Sequence, residues 1–166
     1  MGSAAAPWKS LLLTALESNG HIKHSQFLQL ATVGANGRPS NRTVVFRGFQ
    51  EGSDNIQINT DSRSRKVEEL KNCPFAEQRE KAWSSIPSKT RMQYLGPNPG
   101  LPYLTGQPAK ENLQDSSSGP VDSYCLLVFN PDQVDYVNLK SEKRFLYKAS
   151  SSSRGEKLWS TERINP

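Results

Sequence analysis

The sequence has few of the residues that build metal centres or cross-link a fold. Two cysteines, Cys73 and Cys125, occur among 166 residues and lie 52 positions apart. The two histidines, His21 and His24, have no cysteine beside them. We therefore expect neither a zinc cluster nor a disulfide framework, and this cysteine usage fits a reducing compartment.

Long apolar runs are also missing. Hydrophobic residues make up 34% of the chain, and the mean hydropathy is −0.68. The longest candidate run, Leu11 to Leu13, is interrupted by Thr14, so no membrane span is expected. No basic stretch precedes an apolar one near the start, and residues 1–10 lack the Arg-rich composition of a transit peptide. These features favour a cytoplasmic location, with a plastid left open.

Several catalytic motifs are absent as well. The chain has no nucleophile elbow, no carboxylate pair spaced for glycoside hydrolysis, no Walker sequence and no Gly-rich dinucleotide loop. If the protein is an enzyme, a cofactor is therefore expected to carry the reaction.

A positive charge is present throughout. The net charge is +5 and the pI is near 9.3, which indicates an anionic partner, either a polymer or a single phosphate. The basic residues are spread along the chain without an aromatic-rich basic stripe, which argues against a nucleic-acid binder.

The hydrophobic pattern predicts one mainly β domain over residues 1–166, with flanking helices of an α+β class. A helix should begin at Pro7 and end at Asn19-Gly20, and a strong hairpin signal stands at Asn36-Gly37. Two further helices are expected, one from about residue 67 and one at 78–83. Strands are expected at 27–33, 41–46, 56–59, 124–129, 134–139, 144–148 and 157–164. The stretch 101–120, rich in Pro, Gly and Ser, is predicted to be a mobile loop.

The most informative segment is Thr60-Asp61-Ser62-Arg63-Ser64-Arg65-Lys66. Three hydroxyl residues and three cations lie where a strand passes into a helix, an arrangement suited to a phosphate monoester. The alternative is a Ser-capped helix whose basic residues are solvated. A second feature is the strand Arg42 to Arg47. Its two arginines are five residues apart, so they could serve one ligand only across a bulge or as a clamp; otherwise they are ordinary edge residues.

Together these segments resemble the pyridoxamine 5'-phosphate oxidase family, in particular its plant and cyanobacterial branch. The segments that carry the resemblance are Leu30–Val33, Pro39–Gly48, Ile58–Lys66, Tyr94–Gly100, Arg144–Tyr147 and Trp159–Pro166. The resemblance implies an FMN-binding split β-barrel that forms a homodimer. It also implies oxidation of pyridoxine or pyridoxamine 5'-phosphate in vitamin B6 salvage, in which a hydride passes to the flavin and oxygen reoxidises it.

Carried over by position, the resemblance assigns two groups of residues. The residues implied to bind FMN are Arg42, Thr43, Val44, Val45, Arg47, Thr60, Ser64, Arg65, Lys66 and Arg144. Those implied to bind the substrate phosphate are Arg47 and Thr90. No catalytic side chain and no metal ligand is assigned.

Three departures from the family pattern limit the resemblance, and the third points to an incomplete barrel. The family's substrate-binding Arg-x-His before Arg144 is absent, and Ile86 stands where the family has a substrate-binding arginine. At Glu77-Gln78, strand sequence runs directly into helix sequence, and roughly thirty family residues are missing, as in an alternatively spliced product. The alternative is therefore a non-catalytic form that binds FMN weakly or not at all. Because of the missing segment, we expect this chain to have little or no oxidase activity, even though its phosphate motif is intact.

Overall fold

Strands dominate the computed structural model, which describes residues 6–70, 76–102 and 119–166. The helices are α1 (Pro7–Ser18), α2 (Arg65–Glu69), α3 (Ala76–Ser84) and α4 (Ser88–Arg91), followed by a 3₁₀ turn at Met92–Leu95. The strands are β1 (Phe27–Val33), β2 (Pro39–Phe49), β3 (Ile56–Asp61), β4 (Tyr124–Phe129), β5 (Gln133–Asn138), β6 (Lys143–Ser151) and β7 (Lys157–Ile164).

These strands form two antiparallel sheets. The first has the order β1-β2-β3-β4 and the second the order β5-β6-β7. In the second sheet Val134 lies opposite Tyr147, and Phe145 lies opposite Arg163. Within the residues described, no strand of one sheet pairs with a strand of the other. The mainly β, split-barrel class predicted from the sequence is confirmed.

The hairpin between β1 and β2 depends on one glycine. Gly37 has a φ of 74°, a left-handed conformation that L-residues with a side chain rarely adopt, and its N–H donates to the carbonyl of Gly34 at 2.8 Å. The N–H of Gly34 in turn donates to the carbonyl of Arg38 at 3.0 Å. The Asn36-Gly37 signal therefore correctly located this turn.

The chain divides into two compact units. The first comprises Met1–Phe27, Phe46–Gln57 and Val128–Pro166, and the second comprises Leu28–Val45 and Ile58–Leu127. The sequence predicts that residues 1–166 form a single domain, and this stays a prediction.

The core of the first unit is built around Trp8. Its side chain is 3% exposed, and its ring centroid lies 5.8 Å from those of both Phe49 and Trp159. Tyr147, 4% exposed, belongs to the same cluster. The start of α1 is held because the N–H of Ala6 donates to a carboxylate oxygen of Asp54 at 3.1 Å. Aromatic burial and this contact together explain why α1 begins where Pro7 predicts.

The core of the second unit is built around Trp83 and Tyr124, each 1% exposed. Their ring centroids are 5.1 Å apart, and Ile86 joins the cluster. Arg79 of α3 donates from Nε to the carbonyl of Tyr124 at 2.9 Å and from Nη2 to that of Val121. These contacts attach α3 to the beginning of β4.

Some expectations fall outside the described residues. The junction at Glu77-Gln78 lies in α3, which begins at Ala76, but residues 71–75 and the side chains of residues 76–78 are not described. Most of the loop predicted at 101–120 is likewise outside, because residues 103–118 are not described. Among the helices described, none has the length and apolar character needed to cross a membrane.

Candidate functional site

Three of the predicted phosphate-binding residues come together at the end of β3. The ammonium of Lys66 donates to the hydroxyl of Thr60 at 2.8 Å and to that of Ser64 at 3.0 Å. Thr60 is 6% and Ser64 is 9% exposed, and Ser64 also donates to the carbonyl of Asp61 at 2.6 Å. Because α2 has only five residues, the site depends on these side chains more than on a helix dipole.

The Lys66 ammonium lies in surroundings that favour an additional anion. Burial lowers the pKa of Lys66, and the positive charge of Arg42 lowers it further. Asp61, Cys125 and Glu69 act in the opposite direction, but the net effect is a pKa below the ordinary value. A phosphate bound here would reverse the effect, because it would supply the counter-charge that the hydroxyl groups lack.

Beside this cluster lies an ion pair that the sequence did not reveal. Arg42 of β2 donates from Nη2 to Oε2 of Glu69 at 2.8 Å, and the two side chains are 21% and 13% exposed. Thr32 of β1, 7% exposed, accepts from Arg42 and donates to Glu69. The hydrogen bonds from Thr32 and Arg42 hold the pKa of Glu69 below its ordinary value. Glu69 is therefore charged at neutral pH.

Arg65 lies apart from the hydroxyl–lysine cluster. It is exposed, and it lines an open groove of about 950 Å³ together with Glu68, Glu69, Arg38 of the β1–β2 turn and Ser40 at the start of β2. In the part of the chain that the structure describes, Arg65 makes no hydrogen bond to Thr60, Ser64 or Lys66. Adjacent helical residues point about 100° apart, so Arg65 and Lys66 face different surroundings.

The predicted flavin strand alternates between its two faces. Val44 is buried, whereas Thr43 is exposed and accepts a hydrogen bond from Gln29 at 3.0 Å. Val45 is half-buried, and Arg47 is exposed and makes no hydrogen bond or ion pair among the described residues. Gly48, which lies within β2, has a φ of 113°, and this irregular position comes only after Arg47. Because Gly48 lies outside the stretch between Arg42 and Arg47, its conformation does not bring these two side chains to the same face of β2.

The remaining predicted residues lie elsewhere. Arg144 forms a two-pronged pair with Asp135, with contacts of 2.6 and 3.0 Å. Arg47 and Arg144 belong to the first unit, whereas the phosphate cluster belongs to the second. Thr90 is half-buried in α4, and its N–H donates to the carbonyl of Pro87 at 2.8 Å. Ile86 is 5% exposed within the Trp83 cluster and so serves as a core residue.

The chemistry of the cluster fits the phosphate end of FMN. Two buried hydroxyl groups and one ammonium converge, with a second cation close enough to lower the pKa of the first. Hydroxyl and ammonium donors are the groups that bind a phosphate monoester.

Comparison with known proteins identifies the family. Residues 5–94 match the FMN-binding domain of pyridoxamine 5'-phosphate oxidase. Pyridoxine/pyridoxamine 5'-phosphate oxidase 2 of Arabidopsis thaliana is 46% identical over 198 positions, which cover all of both chains. That alignment has 32 positions more than the 166 residues of this chain, so 32 positions of the relative have no counterpart here. This number is close to the roughly thirty residues that the sequence comparison with the family predicts to be missing.

Solved structures agree on the fold. A pyridoxamine 5'-phosphate oxidase-related, FMN-binding protein from Nostoc punctiforme superimposes with a TM-score of 0.85 at 30% identity, covering 98% of this chain and 99% of the other. PhzG from Burkholderia lata, with a TM-score of 0.65 and 16% identity over 98% of both chains, shares the fold. The cofactor of the matched domain is FMN. On the strength of the family match and the Arabidopsis relative, this chain belongs to the pyridoxamine 5'-phosphate oxidase family of FMN-binding proteins.

Proposed function

We propose that the chain binds FMN by its phosphate and uses it to oxidise pyridoxine or pyridoxamine 5'-phosphate. The observation that carries this proposal is the cluster of Thr60, Ser64 and Lys66, in which a half-buried ammonium is held by two buried hydroxyl groups. Arg65 is proposed to reach the same phosphate from the edge of the groove. The name of the Arabidopsis relative supports the choice of substrate.

The chain's own residues are proposed to bind and orient the reactants. FMN, when bound, supplies a two-electron acceptor, which no side chain provides, and oxygen is the proposed second substrate. Lys66 and the two hydroxyl groups anchor the phosphate, while Arg42 to Val45 and Arg144 are proposed to contact the rest of the cofactor. Arg47, which is exposed, is proposed to bind the substrate phosphate, together with Thr90. A homodimer is the proposed assembly.

A non-catalytic form is the second candidate, and two observations favour it. The alignment with the Arabidopsis relative contains 32 positions beyond the length of this chain. Ile86 is buried in an aromatic cluster, so it cannot replace the cation that the family resemblance places there. Such a form would retain the phosphate cluster but lack part of the substrate site.

Flavin binding and turnover measured on the same preparation distinguish the candidates. The purified chain is titrated with FMN and with riboflavin, and peroxide release is then followed with pyridoxamine 5'-phosphate. Tight FMN binding with peroxide release supports the oxidase, whereas FMN binding without peroxide supports the non-catalytic form. Equal affinities for FMN and riboflavin would refute the phosphate site.

A further inference from the structure

The Arg42–Glu69 pair lies beside the proposed phosphate site but is not itself part of it. Glu69 comes from the last position of α2, and Lys66 comes from the same helix three residues earlier. Glu69 contacts Arg42 at 2.8 Å, and Thr32 bridges the two through its hydroxyl. The carboxylate of Glu69, together with the hydroxyl of Thr32, therefore holds the guanidinium of Arg42 in position.

The electrostatic coupling extends from this pair to Lys66. The charge of Arg42 disfavours the protonated form of Lys66, whereas the charge of Glu69 favours it. The other charged or titratable groups that act on Lys66 are Asp61 at the end of β3 and Cys125 on β4. Both favour the protonated form, so Arg42 is the opposing charge among them. Neutralising Glu69 would remove one of the three groups that offset the charge of Arg42, and it would also free Arg42 to move.

We propose that Glu69 is a positioning residue of the phosphate site, which acts by holding the guanidinium of Arg42 in place. This inference rests on the proposed function, because it concerns the same site. Lys66 attracts the phosphate only while it is protonated, so affinity for FMN is lost as the pH rises through the pKa of Lys66. Removing the negative charge of Glu69 lowers that pKa, and the alkaline loss of binding therefore moves to lower pH.

The test compares Glu69→Gln with Glu68→Gln. Both remove one negative charge from adjacent positions of α2, but of these two glutamates only Glu69 forms an ion pair with Arg42 among the described residues. Affinities for FMN and for riboflavin are measured across neutral and alkaline pH. In Glu69→Gln the midpoint of the alkaline loss should lie at lower pH for FMN, with no such shift for riboflavin. Glu68→Gln should keep the midpoint of the unmodified chain.

A second measurement does not depend on FMN. The rate of acylation of Lys66 in the chain without flavin, followed by mass spectrometry against pH, reports its protonation directly. The pH midpoint of this acylation rate should be lower in Glu69→Gln than in the unmodified chain. In Glu69→Asp, which retains the negative charge, the midpoint should lie closer to that of the unmodified chain. If FMN does not bind the unmodified chain, the proposed function fails, while this titration still tests Glu69. Unchanged titration of Lys66 in Glu69→Gln, or an equal change in Glu68→Gln, would overturn the inference.

Discussion

Replacing Lys66 by methionine tests the phosphate site most directly. Methionine keeps the length and much of the volume of lysine but removes the ammonium that donates to Thr60 and Ser64. The loss should not destabilise the chain without flavin, because burial and Arg42 both oppose the charge on Lys66 in the folded state. The substitution thus separates binding from stability.

The expected loss of affinity follows from the kind of contact. A hydrogen bond between an ammonium and a phosphate contributes about 1.5–3 kcal/mol, and a tenfold change in affinity corresponds to about 1.4 kcal/mol. Lys66→Met should therefore weaken FMN binding by about ten- to a hundredfold. Riboflavin, which has no phosphate, should bind with nearly unchanged affinity.

Flavin fluorescence titrations and a thermal melt of the same preparations provide the measurement. Lys89→Met, at an exposed position of α4, should leave both affinities unchanged. Equal weakening of FMN and riboflavin would mean that the substitution damages the fold around the site. Unchanged affinity for FMN would show that Lys66 does not bind the phosphate, and the assignment would then be wrong.

Three further outcomes are expected. Arg65→Ala should weaken FMN binding by about ten- to a hundredfold in the same titration, and equal binding would remove Arg65 from the phosphate site. Trp8→Ala should lower the free energy of unfolding, measured by urea denaturation, by about 3–5 kcal/mol, because it removes a ring that is only 3% exposed from the core. Leu139→Ala, at a position that is 81% exposed, should have little effect on the free energy of unfolding. Inserting a family segment of roughly thirty residues between Glu77 and Gln78 should raise flavin retention and peroxide release together; no gain in either would show that the shorter chain is already competent.

Much of the fold could be predicted because the relevant signals are local. The bounds of β4 and β7 match the predicted strands at 124–129 and 157–164, where apolar or alternating residues are bordered by turns. The short helix α4 was missed because Ser88–Arg91 has no apolar stripe. Its surroundings are organised by Arg91, which donates to the carbonyls of Ile86 and Ser84, and sequence periodicity does not report such contacts.

The phosphate cluster could also be predicted because its signal is local, whereas the Arg42–Glu69 pair could not. The Thr60, Ser64 and Lys66 cluster lies within seven consecutive residues, so composition alone indicated it. The role of Glu69 was not foreseen, because an acidic residue in a helix is usually solvated and its partner Arg42 is 27 positions away. That pairing depends on how α2 packs against β1 and β2. Such packing is a tertiary property that no local pattern encodes.

The attachment of α3 by Arg79 bears on whether the chain can change in length at the junction Glu77-Gln78. One guanidinium joins the helix to the carbonyls of Tyr124 and Val121, so the anchor lies wholly downstream of the junction at Glu77-Gln78. A contact of this kind does not depend on the number of residues encoded before it. A segment inserted or removed at the junction would therefore leave these two hydrogen bonds of Arg79 in place, so this position can accept a change of chain length without losing the anchor of the helix.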